Sequence, residues 1–297
     1  MSAWLKCHEP AAFACALINS QPMGFYAPAQ LVRDARNHGV EVRPVDIGAS
    51  EWDATLERGV DGEAALRLGF RMAKGLSQAG ALRIVEVRAA GAFTSTQDLA
   101  VRARLDRCDL GALARAGALR ELSGHRHRAS WSVAGVEPPL PLIEHIDIAE
   151  GIPLLKAPTE GQDIIADYRS VGLTLGRHPL ALLRQRLARE GVVTAEELRR
   201  RTDGDAVHTA GLVITRQRPM TASGVTFVTL EDETGHINLI VWLKVAERQR
   251  RALIESRLLE VSGELQREGD VLHVVVQNMR DRSRLLGNLQ ARSRDFH

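Results

Sequence analysis

The sequence predicts an α+β protein of several domains, in which helical segments are followed by a five-stranded barrel. Apolar residues recur at helical spacing through most of residues 10–201. From residue 207 onward the apolar period falls to two, and three strands, a helix and two strands follow within about ninety residues. That order is the layout of a small barrel of the OB type. With 297 residues, 44% of them hydrophobic, the chain can build two or three domains with buried cores.

The first sixty residues predict two helices and a strand. Pro10 opens a helix over 10–20, and a second helix covers 27–38. From Val40 the sequence VEVRPVDI alternates with a period of two, which indicates a strand. The apolar face of the first helix has no obvious partner nearby, so we expect the chain to begin inside a larger fold.

Residues 66–123 predict four short helices in two pairs, each pair joined by a glycine turn. The first turn reads Gly75-Leu76-Ser77, in which the serine can cap the next helix. Because a helix N-terminus binds anions through its outward N–H groups, the amides of Leu76 and Ser77 are predicted to hold a DNA phosphate. A plain helical hairpin that only packs is the alternative. The candidate DNA contacts of this module are Arg71, Lys74, Gly75, Leu76, Ser77, Arg83 and Gly117.

Charge is distributed unevenly along the chain. The formal net charge is +2, from 39 basic and 37 acidic residues, yet residues 66–128 hold twelve Arg or Lys against five Asp or Glu, a net of +7. Nearly all of the basic residues are arginines, whose guanidinium group binds phosphate bidentately. This composition favours a polyanionic partner such as DNA.

Residues 129–204 are predicted to form a linker followed by helices. The proline-rich stretch 132–159 has little regular pattern, and helical spacing resumes over 163–201 with a turn at 176–180. Residues 162–168, QDIIADY, faintly resemble the short peptide by which polymerases hold a sliding clamp. The stronger interpretation is that the apolar residues of this stretch bury one face of a helix.

Strand parity predicts the binding face of the barrel. Ile237, Leu239 and Val241 share one apolar face and should point inward, which places Trp242 outward. OB domains stack the bases of single strands on exposed aromatic side chains beside a basic groove. The candidate contacts are Arg216, Arg218, Phe227 and Trp242. The alternative is that both aromatic side chains cap the barrel core.

Other polar clusters predict no chemistry. Glu231-Asp232-Glu233 precedes Thr234-Gly235 at a tight turn, so turn chemistry and a solvated face explain the acidic run without a metal. The run His125 to Arg128 is predicted to be a solvated basic segment near DNA. The sequence has no nucleophile elbow and no glycine-rich nucleotide loop.

Three cysteines follow no disulfide or zinc spacing, and no apolar stretch reaches membrane length, so we expect a cytoplasmic protein. We assign no catalytic or metal-binding residue and no cofactor.

Five segments resemble the C-terminal third of bacterial C-family (DnaE-like) DNA polymerases, and their amino-acid sequences are most similar to the error-prone, ImuC-type branch. They read LKCHEPAAFACALINSQ, YAPAQLVRDARNHGVEVRPVDI, LRLGFRMAKGL, GRHPLALL and VTFVTLEDETGHINLIVW. The resemblance implies the end of the polymerase fingers at 1–62, a tandem helix-hairpin-helix module at 63–128, a linker with helices at 129–204, and an OB domain with a tail at 205–297. Where the family often has a second glycine in the first hairpin, this chain has Ser77.

The resemblance implies a DNA-binding fragment of a translesion DNA polymerase that engages duplex and single-stranded template. The catalytic carboxylates of the family lie in a palm domain that this chain lacks, so Mg²⁺ is expected for the parent polymerase and the chain alone should be inactive. The resemblance also implies other mutagenesis proteins of the ImuB type as partners, and we expect no contact with a membrane. An autonomous, non-enzymatic DNA-binding or docking protein is the alternative.

Overall fold

The computed structural model describes residues 2–23, 26–60, 62–136, 154–219, 224–269, 271–289 and 294–296. The chain forms two compact units, Met1–Leu175 and Gly176–His297. In the described residues, no helix is long and apolar enough to cross a membrane.

The first unit begins with three helices and a small sheet. The helices are α1 Ser2–His8, α2 Pro10–Asn19 and α3 Pro28–Asn37, and the strands are β1 Val42–Arg43, β2 Thr55–Arg58 and β3 Ala64–Arg67. Strand β3 lies in the middle, parallel to β1 and antiparallel to β2. Both predicted helices are present, and α2 packs against α1, α3 and the sheet. The strand predicted from Val40 is cut to two residues because Pro44, which has no N–H donor, follows it.

Five helices follow the sheet. They are α4 Gln78–Arg88, α5 Thr96–Arg102, α6 Arg107–Ala116, α7 Arg120–Ser123 and α8 Arg126–Ala134. The helix predicted before Gly75 is absent, because strand β3 and a 3₁₀ turn at Phe70–Met72 occupy that stretch. At Gly69 the backbone passes so close to the loop before β2 that an added Cβ would lie 2.3 Å from the carbonyl carbon of Asp53. This tight contact holds the segment extended.

The predicted linker is partly helical. Residues 132–134 belong to α8, which corrects the prediction that the linker begins at Ser132, and residues 137–153 lie outside the described residues. Helix α9 Glu160–Ser170 then starts at a capping box, in which Thr159 accepts from the Gln162 amide and Gln162 accepts from the Thr159 amide. The first unit therefore ends with a helix that packs against α6.

The second unit places two helices before a closed barrel. The helices are α10 Pro179–Arg189 and α11 Ala195–Arg199. The barrel elements are β4 Ala206–Gln217, β5 Thr226–Glu231, β6 His236–Val241, α12 Leu243–Arg248, α13 Arg250–Glu255, β7 Leu258–Glu268 and β8 Val271–Asp281, and a short strand β9 Arg294–Phe296 pairs with β4. The predicted single helix is divided at Gln249, whose side-chain oxygen accepts a hydrogen bond from the Met279 amide at 2.8 Å. The sequence did not predict β9.

The long first strand closes the barrel. Residues 206–212 of β4 pair with β7, and residues 212–217 pair with β5, so the strand order β5-β6-β8-β7-β4 returns to β5. Two glycines make the close approaches possible: a Cβ at Gly211 would lie 2.7 Å from Leu230, and one at Gly263 would lie 2.1 Å from the Val275 carbonyl oxygen. The predicted five-stranded barrel is confirmed.

Candidate nucleic-acid interface

The Gly75 turn has the predicted backbone shape. Gly75 has φ +90°, in the left-handed region, and Ser77 caps α4 by accepting a hydrogen bond from the Gly80 amide at 3.0 Å. The Leu76 amide donates to the Ala73 carbonyl oxygen at 3.2 Å, and its side chain is buried. The turn therefore joins the 3₁₀ segment to α4 in a fixed geometry.

An internal carboxylate occupies the predicted phosphate position. Asp109, on α6, is buried, and its Oδ1 accepts from the Ser77 amide at 2.8 Å while its Oδ2 accepts from the Ser77 hydroxyl at 2.9 Å. The prediction that the amides of Leu76 and Ser77 are open to DNA is therefore wrong. The next two amides, those of Gln78 and Ala79, lie in the first helical turn at exposed positions and have no partner within the helix.

Sequence reasoning missed Asp109. Its own neighbourhood indicates only a helix start, because Asp106 caps α6 by accepting from the Asp109 amide at 2.8 Å. The contact with Ser77 spans 32 residues of sequence, so no local pattern could have identified it.

The basic residues around the hairpin have internal partners. The Arg71 guanidinium group donates to Asp53 and to the carbonyl oxygens of Asn19 and Gln21. Lys74 and Arg83 bind backbone carbonyl groups, at the end of α9 and after α5 respectively. All three side chains therefore hold the fold together, and their contact with DNA stays a prediction.

The second hairpin and the His-Arg run are stabilised by a shielded charge cluster. Gly117 ends α6 with φ +76°, and Arg126 packs beside it. Only 11% of the Arg126 side chain is exposed, and the guanidinium group pairs with Asp163 at 2.7 Å and with Asp167. The prediction of a solvated run is therefore wrong at Arg126, since that charge docks α9. DNA contact by Gly117 remains a prediction.

The clamp-like segment forms part of α9. Ile164 is buried, and Asp163 and Asp167 are paired with Arg126. Burial raises the pKa of the Tyr168 phenol to about 12. These contacts support the interpretation that this stretch buries one face of a helix.

The barrel face follows the predicted parity. Ile237, Leu239 and Val241 are buried, whereas Trp242 is 53% exposed at the start of α12. Phe227 is half-buried and lies on the opposite face of β5 from the buried Val228. Trp242 is therefore open to solvent instead of filling the core.

The two predicted arginines differ. Arg216 is buried, and its Nε donates to the Leu253 carbonyl oxygen at 2.5 Å while a second nitrogen donates to that of Ser256. Arg216 thus supplies hydrogen-bond donors to the carbonyl groups at the end of α13. The prediction that it is an outer phosphate contact is therefore wrong. Arg218 is exposed and available to a ligand.

The acidic run lies at the predicted turn, but the predicted solvated face is wrong at Asp232. Asp232 is buried, and its Oδ1 accepts from the amides of Thr234 and Gly235 while its Oδ2 accepts from the Ala195 amide at 2.6 Å. Glu233 pairs with Arg184. Across the described ranges, no three His, Cys, Asp or Glu side chains converge as a metal site. The Mg²⁺ implied for the parent polymerase thus has no set of ligands among these residues.

The hairpins and the barrel define the class of this chain as one built from nucleic-acid-binding modules. Residues 39–129 match the family described as the helix-hairpin-helix motif, and residues 207–282 match the OB-fold nucleic acid binding domain. Both modules agree with the fold class predicted from the sequence.

The whole chain is similar to proteins named error-prone DNA polymerase. It is 58% identical to that of Alkalilimnicola ehrlichii and 52% identical to that of Pseudomonas aeruginosa, each over 100% of this chain and 29% of the relative. The protein of Methylococcus capsulatus is 54% identical over 100% of this chain and 30% of its own length. The chain therefore spans less than a third of these relatives and matches their C-terminal part.

Among solved structures, asparaginyl-tRNA synthetase from Pyrococcus horikoshii is 24% identical over 30% of this chain and 22% of its own, with a TM-score of 0.27.

Proposed function

We propose that this chain is the DNA-engaging C-terminal part of an error-prone translesion DNA polymerase of the ImuC type. The observation that carries the proposal is the identity of 52–58% to error-prone DNA polymerases along the entire chain. The proposed segments are the end of the fingers at 1–62, the hairpin module at 63–128, the linker and helices at 129–204, and the OB domain with its tail at 205–297.

Nucleotidyl transfer is assigned to another part of the parent protein. Two-metal chemistry requires converging carboxylates, and the described residues offer no such group. The purified chain should therefore not extend a primer in the presence of Mg²⁺ and nucleotides. Template-dependent extension that survives repeated purification would contradict the proposal.

The hairpin module is proposed to hold duplex DNA through the amides at the start of α4. Proline at position 78 would remove one of these N–H groups, and it suits the first position of a helix. The preceding Ser77 already has extended backbone angles, as a residue before proline requires. Q78P should therefore weaken duplex binding at an unchanged melting temperature, whereas Q78A keeps the amide and should bind normally. Equal duplex affinity of the two variants would mean that the α4 N-terminus does not contact DNA.

The barrel is proposed to bind single-stranded template on the face that carries Trp242, with Phe227 and Arg218 beside it. A stacked base contributes about 1–3 kcal/mol, so W242A should weaken oligo-dT binding about 5- to 150-fold. Oligo-dT should quench fluorescence in the wild type and less in W242A. Trp131 is 54% exposed in the other unit and supplies the control, because W131A should keep the quenching. Quenching that survives in W242A would place the site elsewhere.

Two protein partners are proposed besides DNA. A mutagenesis protein of the ImuB type is proposed from the resemblance to the ImuC branch. A sliding-clamp contact through 162–168 would have to compete with the internal contacts of α9. The three cysteines are free thiols, which supports a reducing compartment such as the cytoplasm.

A further inference from the structure

A basic cleft of about 660 Å³ lies in the second unit, between α10, α13 and the end of β8. Its charged lining residues are Arg186, Arg251, Arg280, Arg282, Arg284 and Asp281. Five positive charges against one negative charge give a formal net of +4. None of the sequence patterns above identifies the cleft, since its arginines come from three separate segments.

A buried ion-pair network supports the floor of the cleft. The Arg282 side chain is 10% exposed, its Nε lies 3.3 Å from a Glu260 carboxylate oxygen, and a second nitrogen binds Glu190. The Asp281 carboxylate accepts from the amide and hydroxyl of Ser283. These contacts fix the backbone from which the neighbouring arginines project.

The remaining arginines direct their charge outward. Arg186 and Arg251 are 62% and 88% exposed, and each pairs with a glutamate four residues further along the chain. Exposed pairs of this kind are worth little and are readily exchanged for another anion. Arg280 and Arg284 are exposed, and within the described ranges neither guanidinium group has a carboxylate or carbonyl partner.

The lining favours phosphate over an acidic peptide. Arginine presents a planar fork that fits phosphate bidentately, and the cleft has no lysine. Its apolar lining is limited to Ala252 and Leu285, which offer little to the side chains of a peptide. The three basic residues Lys244, Arg248 and Arg250 are exposed on the helices that run from Trp242 to Arg251. Single-stranded DNA stacked on Trp242 would thus pass these three basic side chains on its way to the cleft.

We propose that this cleft binds the phosphate backbone of single-stranded DNA as an extension of the barrel's binding face. The inference rests on the proposed function, because it takes DNA as the ligand of the barrel. Arg280 and Arg284 make the phosphate contacts, and Arg282 holds their segment in place.

The test measures oligo-dT binding to the full chain by fluorescence anisotropy at several salt concentrations. Each phosphate contact with a single strand contributes about 0.7 to the slope of log K against log salt. R280A/R284A should reduce the slope by about 1.4, equivalent to about 25-fold weaker binding at about 0.1 M salt if the counterion effect vanishes near 1 M. R280K/R284K keeps the charges without the fork, so it should retain most of the slope and lose affinity.

Charge-matched controls separate a site from a general effect of charge. Arg58 and Arg200 are exposed and lie outside the cleft, so R58A/R200A removes the same two charges and should leave the slope unchanged. An equal loss in this control, or a wild-type slope in R280A/R284A, would overturn the assignment. A glutamate oligopeptide that loses affinity in R280A/R284A while oligo-dT does not would assign the cleft to acidic peptides instead.

The failure of this inference differs from failure of the proposed function. If the cleft is not on the DNA path, R280A/R284A will bind oligo-dT with wild-type affinity and full Trp242 quenching. If the barrel does not bind single strands, the wild-type chain will show neither anisotropy change nor quenching at low salt.

Discussion

Replacing Asp109 tests whether a buried carboxylate holds the first hairpin closed. Asp109 joins α6 to the start of α4 through two hydrogen bonds to Ser77, at 2.8 and 2.9 Å. The adjacent Gly80 leaves room for it, because a Cβ at residue 80 would lie 2.3 Å from the Asp109 Oδ2 atom. The perturbation is therefore D109A, alone and combined with G80A.

The magnitude follows from these contacts. A hydrogen bond to a charged group contributes about 1.5–3 kcal/mol, and an acidic group near a helix N-terminus adds about 0.3–1 kcal/mol. Ser77 is exposed, so water replaces part of what D109A removes. We expect a loss of about 2–4 kcal/mol, whereas D109N, which keeps an acceptor for the Ser77 amide, should cost about 1 kcal/mol.

The double variant measures the coupling between residues 80 and 109. G80A alone forces the new methyl group against the Asp109 carboxylate and should destabilise the protein. In the D109A background that clash is gone, although the new Cβ would still lie 2.9 Å from the Ser77 hydroxyl oxygen. Because alanine favours a helix over glycine by about 1 kcal/mol, G80A should cost clearly less in this background than in the wild type. The two substitutions should therefore couple by at least about 1 kcal/mol.

Urea unfolding followed by circular dichroism gives the free energies, and calorimetry assigns the affected transition to one of the two units. S95A provides a reference, since it removes a single exposed N-cap hydrogen bond at α5, of 3.0 Å, and should cost about 1 kcal/mol. A D109A loss no larger than that of S95A, or additivity of D109A and G80A, would refute the view that this carboxylate closes the hairpin.

Three further outcomes are expected. Absorbance titration should show a tyrosinate step near pH 12 that is absent in Y168F and present in Y26F. Because the raised pKa of Tyr168 favours the neutral phenol in the folded state, the free energy of unfolding should fall as the pH rises from about 10 through 12. Hydrogen bonds from Arg67, the larger effect, and from Arg43 lower the pKa of the Glu57 carboxyl below 4.5, so the stability that this group contributes is complete above that pH and is lost as the pH falls. The stability of E57Q, measured by urea unfolding, should therefore depend less on acid pH, and an unchanged dependence would contradict this account. G117A should cost about 1–2 kcal/mol, since Gly117 has φ +76° and an added Cβ would lie 3.0 Å from a nitrogen of the paired Arg126 guanidinium group. A melting temperature equal to that of wild type would show that the turn relaxes freely.

The barrel shows what sequence alone can predict. The alternation of Ile237, Leu239 and Val241 placed Trp242 on the outside, and the structure agrees. Strand parity is local, because successive side chains point to opposite faces whatever the strand packs against. The same holds for the glycine turns, since Gly75 and Gly117 both have positive φ angles, although Gly75 follows a 3₁₀ turn instead of the predicted helix.

The partners of charged side chains were decided by the tertiary structure. Arg216 follows a strand pattern that predicts a solvent contact, yet it is buried against α13, 37 residues away from its Leu253 acceptor. The arginine cleft is assembled from α10, α13 and β8, and Asp109 reaches Ser77 across 32 residues. Sequence periodicity predicts which side of a helix or strand faces the core. It does not predict which distant element packs against that side. The fold thus decides which ionic groups are paired internally and which stay exposed to solvent.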